Sequence, residues 1–353
     1  MKKKLTHISI LTILLIVESC MDYGPKSESD FNYYDSNGLF IVNEGNFMYG
    51  NASLSYYDIN KKRVENEIFV RANGIKLGDV AQSITVRNGI GYVVVNNSGV
   101  IFTIDVNTFK IIDIITGFIS PRHIHFVNDN KAYVTDLYGS KIYILNPVTK
   151  KISGSIDVST HNSTEQIAQS GKYVFTNCWS YDNKIFVIDS ENDIIIDSIT
   201  VGIQPNSMVI DKNGKLWVLT DGGYQGNPYG HEIPSLFCIN ASDFKIEKKI
   251  DFELNDSPSK LIINSSLDTL YFINKSIWKI SIDAAKLPDV PIIPYKGTTY
   301  YGLAVSPENS EIYVADAVDY VQNGKIYRYT AQYVCIDTIN AGVCPSNFCF
   351  KLK

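Results

Sequence analysis

Short apolar runs bounded by Gly, Pro, Asn or Asp recur from about residue 38 to the C-terminus. Some alternate apolar and polar residues, others are apolar throughout, and none carries a 3.6-residue stripe. Such runs predict half-buried and fully buried β-strands and no long helix. One run stands out because it repeats. An aromatic-led strand ending in Asn or Asp occurs seven times, as Phe40–Asn43, Tyr92–Asn96, Tyr133–Asp136, Tyr173–Asn177, Trp217–Asp221, Tyr271–Asn274 and Tyr313–Asp316. The leading aromatics are 52, 41, 40, 44, 54 and 42 residues apart. A period of about 40–45 residues fits one four-stranded blade of a propeller.

The rest of each unit agrees. A second strand ending in Asp or Asn follows, as in Ile101–Asp105, Lys141–Asn146 and Lys184–Asp189, and a third alternating strand comes after it, as in Ile194–Val201. A Pro- or Gly-marked turn then leads onward, at Ser120-Pro121, Gln204-Pro205 and Ser257-Pro258. The final Pro345–Phe350 matches these Pro-led innermost strands, yet no unit follows it, and the first unit lacks such a strand. The expectation is an all-β, seven-bladed β-propeller over 37–353 with four-stranded blades, in which the C-terminal strand closes the N-terminal blade and removes two open edges.

Length and composition fit this reading. A chain of 353 residues exceeds the usual single core, whereas a repeat array shares one continuous core. Tyr (23) and Phe (16) are abundant, and the net charge of -5 gives no basic face for nucleic acid. Lys2 to Lys4 and the apolar stretch Leu5–Val17 form a targeting segment too short to span a bilayer. It ends in Val17-Glu18-Ser19-Cys20, which resembles a lipobox, with Glu18 where a small residue is usual. The reading is a lipoprotein signal at 1–19, lipidation of Cys20, and a polar tether over 20–36. Five cysteines remain, Cys178, Cys238, Cys335, Cys344 and Cys349. The first three sit in strand-like runs and read as buried small hydrophobes, while spacing leaves a disulfide among the last three open.

Strand alternation puts the turn after each aromatic strand and the Pro-marked turn on one side of the disc. That side collects the long and unusual segments, which marks it as the binding face. Its candidate ligand residues are Asn43, Glu44, Phe47, Tyr49, Arg122, His123, Trp179, Tyr181, Asp221, Tyr224, Tyr229, His231, Tyr301, Asp316 and Tyr320. Aromatic rings with polar tips suit a large, near-neutral, amide-decorated ligand, and equally a glycan or a protein. The bland reading stands beside this one: strand aromatics pack between blades, and an Asn or Asp recurring in every unit caps a turn.

The sequences Tyr133–Asp136, Lys184–Asp189 and Gly202–Pro205 resemble the YVTN/YncE-type propeller family over about 38–353. Asn43-Glu44-Gly45-Asn46-Phe47, Thr220–Tyr224 and Tyr300–Leu303 look like its Bacteroidetes surface-lipoprotein branch, which includes the BtuG-type cobalamin-binding proteins. That resemblance implies a monomer lipid-anchored at the outer membrane, facing the cell surface. It would bind a corrinoid and pass it to a TonB-dependent transporter, with no cofactor of its own.

Catalytic signals are sparse. His123 and His125 share a strand face without an evident third metal ligand, and Glu165 and Glu232 lie near His161 and His231 in sequence as acid–base candidates. Lyases and lactonases on related propellers keep an enzyme as an alternative beside an interaction or glycan-binding scaffold.

Overall fold

The computed structural model describes residues 31–161, 163–227 and 229–352. The expected signal at 1–19 and Cys20 lie outside these residues. Seven sheets form the blades of a propeller. The inner strands of blades 2 to 7 are Ala81–Arg87, Pro121–Phe126, Thr164–Ser170, Pro205–Ile210, Ser259–Ile263 and Tyr300–Val305. Each pairs antiparallel with the aromatic-led strand that follows it. Blade 1 takes its inner strand from the other end of the chain: Pro345–Lys351 runs antiparallel to Gly38–Asn43, with Gly38 opposite Lys351 and Asn43 opposite Pro345. The expected closure is present.

The aromatic-led strands read as continuous apolar runs because both faces are buried. Successive side chains point to opposite sides of a strand, so one strand feeds two interfaces. In blade 2, Tyr92 and Val94 pack toward blade 3, whereas Val93 and Val95 pack toward blade 1. Seven such clusters separate seven pairs of neighbours, the last joining Tyr313 and Ala315 of blade 7 to Leu39, Ile41 and Tyr57 of blade 1. Every leading aromatic points into the following blade. Six are buried, and three of them place a polar tip on a carboxylate: Tyr133 on Asp193, Trp217 Nε1 on Asp211 at 2.8 Å, and Tyr313 on Glu311 at 3.3 Å. Each buried ring contributes about 2–3 kcal/mol of transfer free energy.

Three features depart from expectation. Blade 6 has three strands, and the segment after Ser281 takes the outer position through a single bridge between Ile277 and Ile293. A helix, Ile68–Asn73, buries Ile68, Phe69 and Ala72 against blades 1 and 2; at six residues it is too short for helical periodicity to register. The end of the expected tether is packed rather than extended. Phe31 and Tyr33 are buried beside Phe109 and Tyr56, and the buried Lys351 ammonium donates to the carbonyls of Tyr33 and Ser36. The five described cysteines are free thiols. Cys178 and Cys238 are buried as expected, but Cys335 begins an outer strand and is exposed. No described helix is long and apolar enough to cross a membrane.

Removing residues 345–353 opens the edge of Gly38–Asn43 and unpacks the wedges on both its sides. The melting midpoint followed by circular dichroism is expected to fall by more than about 10 °C; an unchanged midpoint contradicts closure by this strand.

Candidate ligand-binding face

Each inner strand carries a β-bulge near its first residue. Pro121 pairs with Asp136 and Ile124 with Val134, so Arg122 and His123 together oppose Thr135 alone. The same shift leaves Gln82, Glu165, Asn206, Lys260, Tyr301 and Ser346 without a one-to-one partner in the other blades. A bulge bends the strand and re-aims its extra side chain. All of these residues line one axial cavity of about 460 Å³. Lys260 reaches its place with φ +57°, a left-handed backbone that costs an L-residue on the order of 1 kcal/mol. The repeat thus builds the polar ring at the mouth, and blades 6, 7 and 1 add an apolar wall that includes Leu261, Ile262, Leu303 and Phe348.

The ring is dense in charge. Arg122 holds the Glu165 carboxylate with two hydrogen bonds, Nε to Oε2 at 2.5 Å and Nη2 to Oε1 at 2.9 Å, while His123 Nε2 lies 3.4 Å from Oε1. Burial by itself would raise Glu165, but the Arg122 charge and the His123 contact override it and hold the carboxyl down at about 2. Arg122 also lies over the Trp179 ring, 5.9 Å from its centre. Tyr301 donates its hydroxyl to Glu44 Oε2 at 2.8 Å. Burial, then the Glu44 charge, push the phenol far up, so it remains a donor.

Of the sequence candidates, Glu44, Arg122, His123, Trp179, Asp221 and Tyr301 converge on this cavity. Tyr181 and Tyr229 line a neighbouring cleft of about 590 Å³ between blades 3, 4 and 5, where their rings stack at 5.3 Å. Tyr224 hydrogen-bonds to Tyr181 beside it. Tyr320 packs edge-on against Tyr301 at 5.4 Å. Phe47 and Tyr49 are exposed outside both cavities, 64% and 77% accessible. His231 spends its ring on the Leu254 carbonyl at 3.2 Å and pairs with Gly223, so it fastens the long loop. That loop turns tightly because Gly222, at φ +76°, leaves no room for a Cβ against the Glu232 carbonyl.

Two candidates are structural. Asn43 is fully buried and ties Ser53, Ser55 and the Gly342 amide together; Asp316 accepts the amides of Thr299 and Val318. Asp316 caps its own turn through the Val318 amide, as recurrence implies, whereas Asn43 ties its strand to the next one and to blade 7. The acid–base candidates regroup as well: Glu165 joins Arg122 and His123, His161 Nδ1 meets Asp182 at 2.9 Å, and Glu232 accepts the Ile203 amide at 2.5 Å. His125 turns to Gln169 at 2.8 Å, and the described residues contain no group of three or more potential metal ligands. Sequence reading missed Lys260 and Asn206, although both follow a Pro-marked turn as Arg122 does. It also missed Tyr138 and Asp182 in the second cleft.

Burial pushes the Asp221 carboxyl up to about 6, against hydrogen bonds from the Gly223 amide, Asn206 and Trp179. A folded value above the unfolded one, about 3.9, keeps a proton on the native state that the unfolded chain has lost. The resulting stabilisation is full below about pH 4 and is lost as pH rises through about 6. Asp221→Asn is therefore expected to stabilise the protein by about 1–2 kcal/mol at pH 8 and by almost nothing at pH 4, read from urea midpoints. An equal effect at both pH values contradicts this.

Known structures share the fold. A quinonprotein alcohol dehydrogenase-like protein from Bacteroides thetaiotaomicron superposes with a TM-score of 0.68 at 17% identity, over 90% of this chain and 79% of that one. A functionally unknown protein from Desulfotomaculum acetoxidans gives 0.65 at 12% identity, over 89% and 99%. Hydrazine synthase from Kuenenia stuttgartiensis gives 0.59 at 14% identity, over 76% and 88%. At these identities the likeness concerns the fold alone. In sequence, Antigen Lp49 of Leptospira interrogans is 29% identical over 126 residues, which cover 32% of this chain and 28% of that protein. The sequence profile described as Domain of unknown function (DUF5074) matches residues 37–342, and the chain belongs to that family.

Proposed function

We propose that this propeller captures a large, near-neutral, amide-decorated small molecule, a corrinoid such as cobalamin, at the axial mouth of its loop-rich face. The proposal includes a lipid on Cys20 holding the domain at the outer membrane, facing the cell surface, and transfer of the cargo to a TonB-dependent transporter. The observation that carries the binding reading is convergence: six side chains from five separate segments of the chain meet at one cavity, beside an aromatic cleft. A macrocycle larger than the cavity would lie over the mouth with one arm inside. Trp179 and Tyr301 supply broad, rigid contact at low entropic cost.

The charge arrangement favours binding over catalysis. The Glu165 carboxylate is engaged by Arg122 and His123, so it is a poor proton acceptor. A glycan is the second reading. It is favoured by the off-axis cleft, where exposed Tyr138, Tyr181 and Tyr229 flank the His161–Asp182 pair.

Mixed with cyanocobalamin, the protein is expected to elute pink from gel filtration, with part of its tryptophan fluorescence quenched. Trp179→Phe removes most of that quench. Trp179→Ala and Tyr301→Ala each weaken binding by about tenfold or more, the cost of about 1.4 kcal/mol or more at a buried aromatic anchor. A colourless protein peak contradicts the corrinoid reading. Binding of oligosaccharides that is lost in Tyr181→Ala would move the function to the cleft.

A further inference from the structure

We infer that Lys260 and Glu44 form a pair that reads a carboxamide: the Lys260 ammonium donates to the carbonyl oxygen while Glu44 accepts the amide N–H. This deepens the reading of the axial cavity as the ligand site and rests on it, but does not depend on the ligand being a corrinoid.

Lys260 sits at the bulge of blade 6 and lines the cavity. Its ammonium lies over the Tyr301 ring, 5.4 Å from the centre, and no described carboxylate comes within 4.0 Å of it. It makes no hydrogen bond among the described residues. Arg122, Arg328 and Lys351, also drawn into the fold, each have oxygen partners. Burial depresses Lys260, and the charges of Glu44 and Glu165 oppose that effect. A desolvated ammonium facing an open cavity gains strongly from an acceptor brought by a ligand.

Glu44 is the complementary half. Its Oε2 takes the Tyr301 hydroxyl at 2.8 Å, and its other oxygen has no partner among the described residues. Tyr301 therefore stands between one open donor and one open acceptor. Of the other charges lining the cavity, Arg122 and Glu165 bind each other through two hydrogen bonds, and Asp221 accepts the Gly223 amide.

Charge arithmetic selects the ligand group. A carboxylate would satisfy Lys260 but face Glu44 and Glu165. A cation would satisfy Glu44 but face Lys260 and Arg122. A primary or secondary amide serves both and brings no net charge, with each hydrogen bond near 2.9 Å. The apolar wall formed by Leu261, Ile262, Leu303 and Phe348 then covers the carbon skeleton attached to it.

The test titrates the whole protein with benzamide, benzoate and N,N-dimethylbenzamide, followed by ligand-observed NMR. Benzamide is expected to bind at least tenfold more tightly than either analogue, because benzoate meets Glu44 and the dimethyl compound has no N–H to give it. Lys260→Met is expected to weaken benzamide at least tenfold, with Lys260→Arg restoring part of the loss. Benzoate binding as well as benzamide, or benzamide binding Lys260→Met as it binds wild type, overturns the assignment. The three-probe comparison on wild type decides even if a variant fails to fold. Cyanocobalamin gel filtration on the same preparation separates the two claims. Wild type that retains cyanocobalamin but ignores benzamide sinks the amide pair alone. Wild type that binds benzamide but not cyanocobalamin sinks the corrinoid reading alone.

Discussion

The structure depends on the antiparallel pairing of Pro345–Lys351 with Gly38–Asn43. This pairing converts a row of wedges into a ring and gives blade 1 an inner strand like those of its neighbours. Without it the cluster of Leu39, Ile41 and Tyr57 against Tyr313 and Ala315 would lose one wall, and the axis would lose its seventh side. Once the ring is closed, every inner strand has one hydrogen-bonded neighbour and one edge facing the channel. An inward edge of this kind is protected from pairing with other chains, so its bulges can serve the site instead.

Those bulges connect architecture to chemistry. Each blade interrupts its ladder at the same height, and the interruption turns a side chain inward that a regular strand would direct along the wedge. A structural repeat thereby becomes a ring of unlike residues, among them Gln82, Arg122, Glu165, Asn206, Lys260 and Tyr301. The wedges tolerate no such variety, because both faces of each aromatic-led strand are buried. The bulge side chains Gln82, Arg122, Glu165, Asn206, Lys260 and Tyr301 belong to none of the buried wedge clusters, and there the blades carry unlike residues.

Much of the fold was legible in the sequence because packing imposes a period. Tyr92, Tyr133 and Trp217 recur because each fills the same wedge, and Pro345 announced closure because it resembled Pro121 and Pro205. Loop length and strand alternation placed Trp179, Asp221 and Tyr301 on one side of the disc, and the structure brings these three to one cavity. Other features were hidden. Asn43 and Asp316 look polar enough to bind a ligand, and only the folded structure shows them buried and satisfied by neighbouring segments. Lys260 follows a Pro-marked turn like Arg122, but a register shift of one residue leaves no mark in an apolar–polar pattern. Glu165 was separated in sequence from Arg122, so their pairing was a matter of three-dimensional closure.

The central claim is that ligand recognition occurs on the propeller axis, over the ring the bulges create. The most direct measurement is X-ray diffraction at the cobalt absorption edge from crystals grown with cyanocobalamin. One anomalous peak above the axial mouth, within contact of a macrocycle resting on Trp179 and Tyr301, is the result this account predicts. A peak on the opposite face of the disc, or one on the outer rim away from the axis, would contradict it.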